Sequence, residues 1–571
     1  MTRDPRLAVD FVSPLPPVRS GIADYSLDLL PHLAERLDVR VLGLPGQPVA
    51  PEVARRFAVV AAKEARPPEG WAACPRLPLY QMGNNRYHSG VEAMALERPG
   101  VLTLHDLVLH HLVSEETLGE RDFEAYRARL AADHGWIGLA VAGPREWGAE
   151  VEAALFALPV HRRLIRRQRG VLVHNRWAAE RIRREDPEVR VEVVPMGVPL
   201  PPPADREAGL AFRRRHGLPE DAVVLGSFGF QTPIKRTARV VEALARLADS
   251  GSGPGAVHLL VVGEGPTVGP GGEIETLARE LGVAERVHET GFVPFEELSA
   301  AIAASDLAVN LRYPTAGETS ASLLRVLAVG RPAIVSDYAQ FAELPDEAVI
   351  KAPLGDDEVP ALAARLAELL PAPRSSRHSV PQPVETRLAA MGRAAREHVR
   401  RHHDPAGAAR AVADGCREWA GAPTPGDRPA TPPPPTSRVW EELPGSIEVA
   451  PAAGAAAGAP WPPGERRRLA VTLTNSGPAR WLAAHRGAGG LALQVQLLTP
   501  AGDLLAGRPW LALLRDLAPG ESWTAEIEVR RPPGPATLRL VPQVMGGFPL
   551  GDPFLDGEAL TWEERWEDPW P

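Results

Sequence analysis

Residues 171–198 read VLVHNRWAAERIRREDPEVRVEVVPMGV, and this stretch decides the fold class. VLVHN is a short apolar run, RWAAERIRRED follows it, and VRVEVVPMGV is a second apolar run. Strand-like runs that alternate with helical stretches are typical of a parallel sheet covered by helices. The stretch therefore predicts a strand–helix–strand unit of an α/β domain.

The same alternation is found upstream of this stretch. RLAVDFVS (6–13) and VLTLHDL (101–107) are strand-like, and SLDLLPHLAERL (26–37) has the spacing of an amphipathic helix. These segments predict that the α/β domain begins near the first residue and covers 1–200.

A second series begins after the proline-rich joint PLPPPAD (199–205). It starts with AVVLGSFGF, continues to about Asp337, and is followed by a helix-rich tail that ends near Trp419. We therefore predict a second Rossmann-like domain at 201–420. Two such domains form a cleft between them, and ligands in these sheets bind beyond the carboxyl ends of the strands.

The composition changes beyond the second domain. Residues 421–463 are rich in Pro, Ala and Gly, which predicts a linker that leaves the next domain loosely tethered. Residues 464–571 alternate apolar and polar positions between turn signals, which predicts a separately folding, immunoglobulin-like β-sandwich. Its Trp481, Trp510 and Trp523 are interpreted as core residues, with a sugar-stacking face as the alternative.

The overall composition excludes several classes of protein. The 571 residues carry a net charge of -9, whereas nucleic-acid binders are normally basic. Cys74 and Cys416 are the only cysteines, so the chain has neither a disulfide framework nor a cysteine-rich metal site. The N-terminus lacks the layout of a signal peptide, and no apolar stretch is long enough to span a membrane. We expect a soluble, cytoplasmic protein.

One lysine marks a candidate anion site. The chain has 63 Lys and Arg residues, but its only lysines are Lys63, Lys235 and Lys351. Lys235 and Arg236 lie between a predicted strand and the predicted helix TARVVEALARLADSG. Cations near a helix N-terminus suit a phosphate or diphosphate, and a solvent-exposed loop is the alternative.

Two turns downstream support the anion site. LLVVGEGP (259–266) ends a predicted strand in glycines, and Gly317 to Ser320 immediately precede a predicted helix. Thr319 and Ser320 could cap that helix or meet phosphate, and Glu318 could hold sugar hydroxyls.

In this combination of motifs the chain resembles the family-4 glycosyltransferases of the two-Rossmann-domain (GT-B) type. The similar segments, in order from Arg6 to Trp419, are SPLPPVRSGIADYS, TLHDL, LVHNRWAAERI, VVPMGV, GFQTPIKR, VVGEGP, TGFVPFEEL and PTAGETSASLLRVLAVGRPAIVSD. The resemblance implies transfer of a sugar from a nucleotide diphosphate donor bound on the second domain. It also implies that the acceptor lies mainly on the first domain.

The resemblance also implies roles for individual residues. The implied catalytic residues are His105, Lys235, Arg236 and Glu318, and the implied donor-binding residues are Gly21, Gly229, Gly263, Gly291, Phe292, Val293, Thr319 and Ser320. His105 would lie by the transferred sugar, and Lys235 with Arg236 on the diphosphate. The Gly21 loop would lie near the phosphates, and the turn at Gly291 would meet the base.

The chain departs from the family at one place. The family often has two glutamates eight positions apart, and the second commonly touches the ribose. In this alignment the second position is Arg325, and the first falls on Gly317 beside Glu318. Arg325 is interpreted as part of a structural salt bridge, with a phosphate contact as the alternative.

Three other groups have candidate roles with ordinary alternatives. They are His105, His110 and His111 as metal ligands, Asp356 and Asp357 as a metal–diphosphate pair, and Asn84, Asn85 and His88 as acceptor contacts. Solvated turns and polar loops explain such residues equally well, and no histidine–carboxylate spacing supports a metal.

The resulting prediction is a glycosyltransferase that needs no metal and no cofactor. The outcome is expected to be retaining, with a glycan, a lipid-linked molecule or another compound as the acceptor. A non-catalytic carbohydrate-binding or scaffolding protein and a nucleotide-sugar epimerase are the alternatives. Peripheral membrane association, the donor base, the donor sugar and the oligomeric state are left open.

Overall fold

The computed structural model describes most of the 571-residue chain. The described residues are 6–146, 152–203, 205–249, 257–369, 382–423, 445–452, 461–477, 479–484, 490–500, 505, 510–544 and 562–566. No helix within these ranges is both long and apolar enough to cross a bilayer. The chain divides into two compact units, Met1–Leu107 with Leu164–Arg428 and Val108–Arg163 with Pro429–Pro571.

The first unit contains two parallel sheets. The first sheet consists of β1 (Ala8–Val12), β2 (Asp38–Gly43), β3 (Ala58–Ala61), β4 (Leu77–Met82), β5 (Val101–Leu104), β6 (Gly170–Val173) and β7 (Val191–Val193). The second consists of β8 (Val223–Phe228), β9 (Val257–Val262), β10 (Val287–Glu289), β11 (Leu307–Asn310), β12 (Ala333–Ser336) and β13 (Val349–Ala352).

Both sheets have the same topology, except that the first has one further strand, β7, at its edge. Their strand orders are β3-β2-β1-β4-β5-β6-β7 and β10-β9-β8-β11-β12-β13. Each order reverses beside its first strand, as in Rossmann folds, and that reversal opens a crevice at the carboxyl ends of the strands. The predicted fold class of two Rossmann-like domains is thus confirmed.

Helices cover both sheets of the first unit. They are α1 (Gly21–Ala34), α2 (Pro51–Arg56), α3 (Ala62–Ala65), α4 (Ser89–Glu97), α9 (Arg176–Glu185), α10 (Arg206–Arg215), α11 (Thr237–Asp249), α12 (Glu273–Glu280), α13 (Leu298–Ala303), α14 (Ala321–Val329), α15 (Glu358–Leu369), α16 (Gln382–His402) and α17 (Pro405–Trp419). Helix α17 packs against α1 and β6, so the last helix of the tail lies on the first Rossmann domain. A backbone approach fixes this contact, since a Cβ at Gly170 would lie 2.0 Å from the ring of Trp419.

The second unit combines helices with strands. Its helices are α5 (His110–Thr117), α6 (Phe123–Glu146) and α7 (Glu152–Ala157), and α8 (Arg162–Arg166) crosses the boundary to the first unit at Leu164. Its strands are β14 (Gly445–Pro451), β15 (Arg466–Asn475), β16 (Leu482–Ala483), β17 (Gly490–Leu498), β18 (Trp510–Ala512), β19 (Ser522–Arg530), β20 (Ala536–Val544) and β21 (Trp562–Trp566). The strands form one sheet in the order β14-β15-β19 and another in the order β16-β17-β20-β21, with β18 beside β17.

The two sheets confirm the all-β C-terminal region, with two differences in detail. The pairs are antiparallel except that β16 runs parallel to β17. Strand β14 lies inside 421–463, where composition predicts a linker, and its Ile447 and Val449 pack against the core. The linker prediction is wrong there because the alternation GSIEVAP pairs along β15.

One hydrophobic cluster holds the second unit together. It includes Tyr126 and Leu130 of α6 as well as the strand residues Leu469 and Trp481. Trp481 is fully buried and Trp523 packs against the cluster, which confirms the core interpretation for Trp481. The side chain of Trp510 lies outside the described residues. The sequence pattern assigns α6 to the predicted domain at 1–200, whereas α6 lies in the second unit. The predicted division of the chain into four parts remains a prediction.

Asp10 anchors the first sheet through a buried charge network. Its fully buried carboxylate accepts hydrogen bonds from Arg40 at 2.8 Å, Arg76 at 3.0 Å and Arg98 at 2.7 Å. Burial alone would raise the pKa of Asp10, but hydrogen bonds from Arg40 and Arg98 outweigh it and lower the pKa.

Replacing Asp10 by Ala should therefore destabilise the first domain by about 3–5 kcal/mol, because three guanidiniums lose their counter-charge. Thermal unfolding of the whole chain at pH 7 measures this loss, and Asp38→Ala is the control because Asp38 is 59% exposed and pairs with Arg76 at the surface. Since the pKa is lowered in the folded state, the difference should shrink as the pH falls below about 3.8. Equal losses in the two variants would contradict the buried network.

A chain that ends at Pro423 should expose the apolar side chains that α6 shares with the strands. We expect greater binding of a hydrophobic dye and lower solubility than for the whole chain, because contiguous apolar surface favours association. Co-expression of residues 445–571 as a second polypeptide should reverse both effects. A fully soluble short chain without dye binding would support the separately folding module instead.

Candidate functional site

The candidate residues lie where the strands of the two parallel sheets end. His105 follows β5, Gly229 follows β8, Gly263 follows β9, and the turn at Gly291 comes shortly after β10. The carboxyl ends of parallel strands meet at one edge of a sheet, and ligands bind there. The topology thus places the predicted residues along the cleft of the first unit.

Lys235 ends a short 3₁₀ turn, Pro233–Lys235, and its side chain is buried. Its ammonium donates to the carbonyl of Phe228 and lies 3.0 Å from the position a Cβ would occupy on Gly229. Burial, together with the charge of Arg312, holds the pKa of Lys235 well below its usual value, and Glu318 acts in the opposite direction. Lys235 is therefore a desolvated amine whose charged form an anionic ligand would stabilise, not a solvent-exposed loop residue.

Arg312 is a second buried cation that the sequence interpretation missed. Its Nε lies 3.2 Å from Oε1 of Glu318, and burial lowers the pKa of its guanidinium. Lys235 and Arg312 thus share one carboxylate, so the group carries an excess positive charge away from water. The signal in the sequence was its position, two residues after β11 at the carboxyl edge of the sheet.

Glu318 is held by its own loop. Besides Arg312, its carboxylate accepts from Thr315 Oγ1 at 2.9 Å and from the Ala316 amide at 3.0 Å. Gln340 donates to the Glu318 carbonyl at 2.7 Å and so fixes the backbone as well. The carboxylate is preorganised as a counter-charge; contact with sugar hydroxyls remains a prediction.

Helix α14 presents its N-terminus to the same place. Ser320 is the N-cap residue, and its hydroxyl accepts from the Leu323 amide at 3.2 Å. Asn310, at the end of β11, is 7% exposed, and its amide nitrogen has no hydrogen-bond partner in the described structure. A buried, unpartnered donor beside a helix N-terminus favours an anionic or hydroxyl ligand.

Arg236 pairs with Glu358 and not with Glu318. It adopts a left-handed conformation with φ of 56°, and its Nε lies 2.8 and 2.9 Å from the two carboxylate oxygens of Glu358. Glu358 is buried, and Tyr313 lies beneath the guanidinium at 5.6 Å. Arg236 is thus engaged in a structural ion pair, and its predicted diphosphate contact requires this pair to be shared or broken.

The predicted glycines bring three backbone segments into contact. A Cβ at Gly263 would lie 2.4 Å from the Gly229 carbonyl oxygen, and φ of Gly263 is 133°. The Gly263 amide donates to the Gly291 carbonyl at 2.9 Å. A cavity of about 550 Å³ adjoins this contact, lined in part by Glu264, Gly265 and Gly291.

The residues after Gly291 reach across the cleft. Phe292 is 52% exposed, and the guanidinium of Arg19 lies 4.8 Å from its ring centroid. Val293 is half-buried beside it. Arg19 precedes α1, whose first residue, Gly21, has open space where a Cβ would be.

His105 belongs to a buried hydrogen-bond chain. His174 Nδ1 lies 3.1 Å from the Val194 carbonyl, so it donates there and its Nε2 can accept from His105 Nδ1 at 3.1 Å. The other ring nitrogen of His105, Nε2, faces Oε1 of Gln81 at 2.9 Å, and a neutral imidazole can donate from only one of its two nitrogens. Burial and the neighbouring histidines hold the pKa of His105 well below its usual value. Both nitrogens of the ring therefore lie within hydrogen-bond distance of protein atoms, and only one of them can donate.

Asp106 is a titratable group next to the hydrogen-bonded histidines His105 and His174. Its Oδ2 accepts from the Asn84 amide at 2.8 Å. Burial, with the charge of Glu318 added, raises the pKa of Asp106 to about 7. His88 and Asn85, from the same candidate acceptor loop, hydrogen-bond to each other at 3.1 Å, and burial lowers the pKa of His88 to about 4.

Arg325 forms a salt bridge between the two Rossmann domains. It lies 3.2 Å from Asp28 of α1, and its guanidinium lies 4.9 Å from the ring centroid of Phe295. This contact agrees with the structural interpretation of Arg325.

The histidines and aspartates considered as metal ligands contact other side chains or lie in an exposed turn. His110 pairs with Tyr126 at 2.7 Å, and His111 lies 5.1 Å from the ring of Phe156. Asp356 and Asp357 are exposed in the turn before α15. Within the described ranges, no three His, Cys, Asp or Glu side chains are grouped to hold a metal ion.

Two solved structures align with this chain at low identity. HepE from Anabaena in complex with UDP and glucose aligns with a TM-score of 0.49 at 14% identity, over 72% of this chain and 100% of that chain. The sucrose-phosphate synthase of Thermosynechococcus elongatus aligns with a TM-score of 0.48 at 17% identity, over 73% and 99% of the two chains.

Two curated proteins are similar over shorter segments. The D-inositol 3-phosphate glycosyltransferase of Stackebrandtia nassauensis is 42% identical over 111 residues, and the 2-deoxystreptamine glucosyltransferase of Streptomyces kanamyceticus is 31% identical over 174 residues. The matches cover 18% and 30% of this chain, and they span only 24% and 40% of the respective relatives.

A family model locates the similarity within the second Rossmann domain. The model described as "Glycosyl transferases group 1" matches residues 219–371. This range contains Lys235, Arg312, Glu318 and the N-terminus of α14, which are the groups that the structure brings together. Residues 219–371 are therefore the part of the chain that is similar to the glycosyl transferases group 1 family.

Proposed function

We propose that the protein is a glycosyltransferase that takes a sugar from a nucleotide diphosphate donor bound by the second Rossmann domain. The observation that carries the proposal is the pair of buried cations, Lys235 and Arg312, beside the N-terminus of α14. One carboxylate, Glu318, balances only part of their charge. A diphosphate would supply the missing negative charge.

The chemistry needs such a site because the nucleoside diphosphate leaves with growing negative charge. Preplaced cations and helix N–H groups stabilise that charge in a desolvated cleft, where they act more strongly than in water. Lys235 suits this role as a compact ammonium on a flexible stem. The same groups make a divalent metal unnecessary, and metal-independent transfer is part of the proposal.

The proposed outcome is retention of anomeric configuration. Burial and the neighbouring histidines hold the pKa of His105 well below its usual value, so it is proposed to orient the sugar and not to take up the acceptor's proton. The leaving phosphate can accept that proton in a retaining reaction. If transfer is inverting, Asp106 is the group to examine as base, because its pKa of about 7 suits proton transfer near neutral pH.

The proposal extends to the donor base and the acceptor. The cavity beside Gly291 is the proposed place of the base. Hydroxyl compounds are the proposed acceptors, and a screen of nucleotide sugars with the whole chain identifies the donor. Release of free sugar from one nucleotide sugar, without an acceptor, would reveal the first half of the reaction.

Replacing Lys235 by Ala should weaken UDP binding by at least about tenfold, because a charge-assisted contact to the diphosphate is lost. Isothermal titration calorimetry in excess EDTA measures the change and tests metal independence at once. The control is Lys351→Ala, since Lys351 pairs with Asp346 at 2.7 Å in the same domain. Thermal stability should not fall, because removing a buried charge relieves its desolvation. Unchanged UDP affinity in Lys235→Ala would contradict the proposed site.

Replacing Asp106 by Asn should stabilise the protein at pH 8. The pKa of Asp106 is about 7 in the folded protein against an ordinary 3.8, so the folded state binds this proton more strongly and its stability falls as pH rises between these values. Asparagine stays neutral, so the gain in melting temperature should be large at pH 8 and absent near pH 4. Asp356→Asn, in an exposed turn, is the control. A gain independent of pH would contradict the raised pKa.

A further inference from the structure

The N-terminus of α9 is capped from both Rossmann domains. Asn175, its N-cap residue, accepts from the Ala178 amide at 2.8 Å. Glu343 of the second domain accepts from the Arg176 amide at 3.1 Å and from the Trp177 amide at 2.6 Å. Three backbone N–H groups that a helix leaves without partners are thus satisfied, two of them by the opposite domain.

The amide nitrogen of Asn175 points the other way, into the second domain. It donates to the Gly317 carbonyl at 3.0 Å and to Thr319 Oγ1 at 3.1 Å. Asn175 is only 7% exposed. One buried side chain therefore uses its oxygen on its own helix and its nitrogen on the loop that contains Glu318.

The docked loop fits closely against the first domain. Gly317 has φ of 81°, and a Cβ there would lie 2.6 Å from Cβ of Leu107 and 3.0 Å from the ring of Trp177. Any side chain at 317 would collide with the first domain in this arrangement. The loop is therefore shaped for contact with the α9 segment.

A residue of the second domain, Gln340, also holds the loop that contains Glu318. Gln340 donates to Thr315 Oγ1 at 2.8 Å and to the Glu318 carbonyl at 2.7 Å. Gln340 and Glu343 belong to one 3₁₀ turn, Ala339–Glu343. That turn thus contacts the loop and the end of α9 together.

We propose that Asn175 is a positioning residue for donor binding, which fixes residues 317–319 when the two Rossmann domains are closed. It acts through the loop, since its contacts are with Gly317 and Thr319 and not with the buried cations. The loop carries Glu318, the counter-charge of Lys235 and Arg312, and leads directly into the N-terminus of α14. The inference rests on the proposed function.

Closure and loop order are coupled by the same hydrogen bonds. Separation of the domains would leave the Arg176 and Trp177 amides without Glu343, and the Gly317 carbonyl without Asn175. Water can replace these partners, but it cannot fix the geometry of the loop. Closed domains therefore present an ordered donor site, and open domains present a loosely held one.

The variant Asn175→Asp separates the capping of α9 from the hydrogen bonds to Gly317 and Thr319. Aspartate is as good an N-cap as asparagine, so α9 keeps its cap, but the NH₂ group is lost and a carboxylate faces the Gly317 carbonyl. We expect UDP affinity to fall about tenfold or more, with a melting temperature close to that of the native chain. Amide hydrogen exchange at residues 316–319 should become faster, which a purely capping role would not cause.

Two further variants complete the experiment. Asp205→Asn is the control, because it makes the reverse substitution at the N-cap of α10, inside the second domain. It should change neither the UDP affinity nor the rate of amide hydrogen exchange at 316–319. Glu343→Ala removes the opposite cap and should also speed exchange at 316–319. Native affinity and native exchange in Asn175→Asp would overturn the inference.

The outcome also distinguishes the inference from the function on which it rests. If the native chain binds no nucleotide or nucleotide sugar, the proposed function and the role in donor binding are wrong, and faster exchange at 316–319 in Asn175→Asp then supports only the ordering of the loop by Asn175. If the native chain binds UDP and Asn175→Asp binds it equally well with unchanged exchange, the function stands and the positioning role is wrong.

Discussion

The carboxylate of Glu318 is the group on which the arrangement of the cleft depends. It accepts from Arg312 and from its own loop, and it offsets part of the charge on Lys235. A buried cation is costly unless a counter-charge lies near, and two cations with one carboxylate are a partial solution. This group differs from that of Asp10, where Arg40 and Arg76 keep 24% and 17% of their side chains exposed to water, because Lys235 and Arg312 are both buried.

Rigid backbone contacts surround this charge. The approach of Gly263 to the Gly229 carbonyl leaves no space for side chains, so these turns form one surface of backbone groups. Across the cleft, Asn175 and Leu107 shape the loop at Gly317. The binding surface is therefore built from fixed dipoles, which need little rearrangement when a charged ligand arrives.

Sequence reasoning found the elements and many of the positions, because both follow from local patterns. Alternation of apolar runs with helical spacing predicted both sheets, and glycines at strand ends marked the turns at Gly229 and Gly263. Lys235 was found because it is one of three lysines and lies before a helix. Arg312 was missed because arginine is frequent in this chain, so its position after β11 carried little weight.

The sequence by itself determined that two Rossmann-like domains precede a β-rich region, and that a lysine and a helix N-terminus meet at a strand end. Only the tertiary structure decided the partners. Arg236 pairs with Glu358, 122 positions away, and Asn175 reaches a loop 142 positions away. It also decided that apolar residues of α6 share a core with the C-terminal strands. Periodicity reports which face of an element is buried but not what covers it, since that depends on contacts between segments distant in the chain.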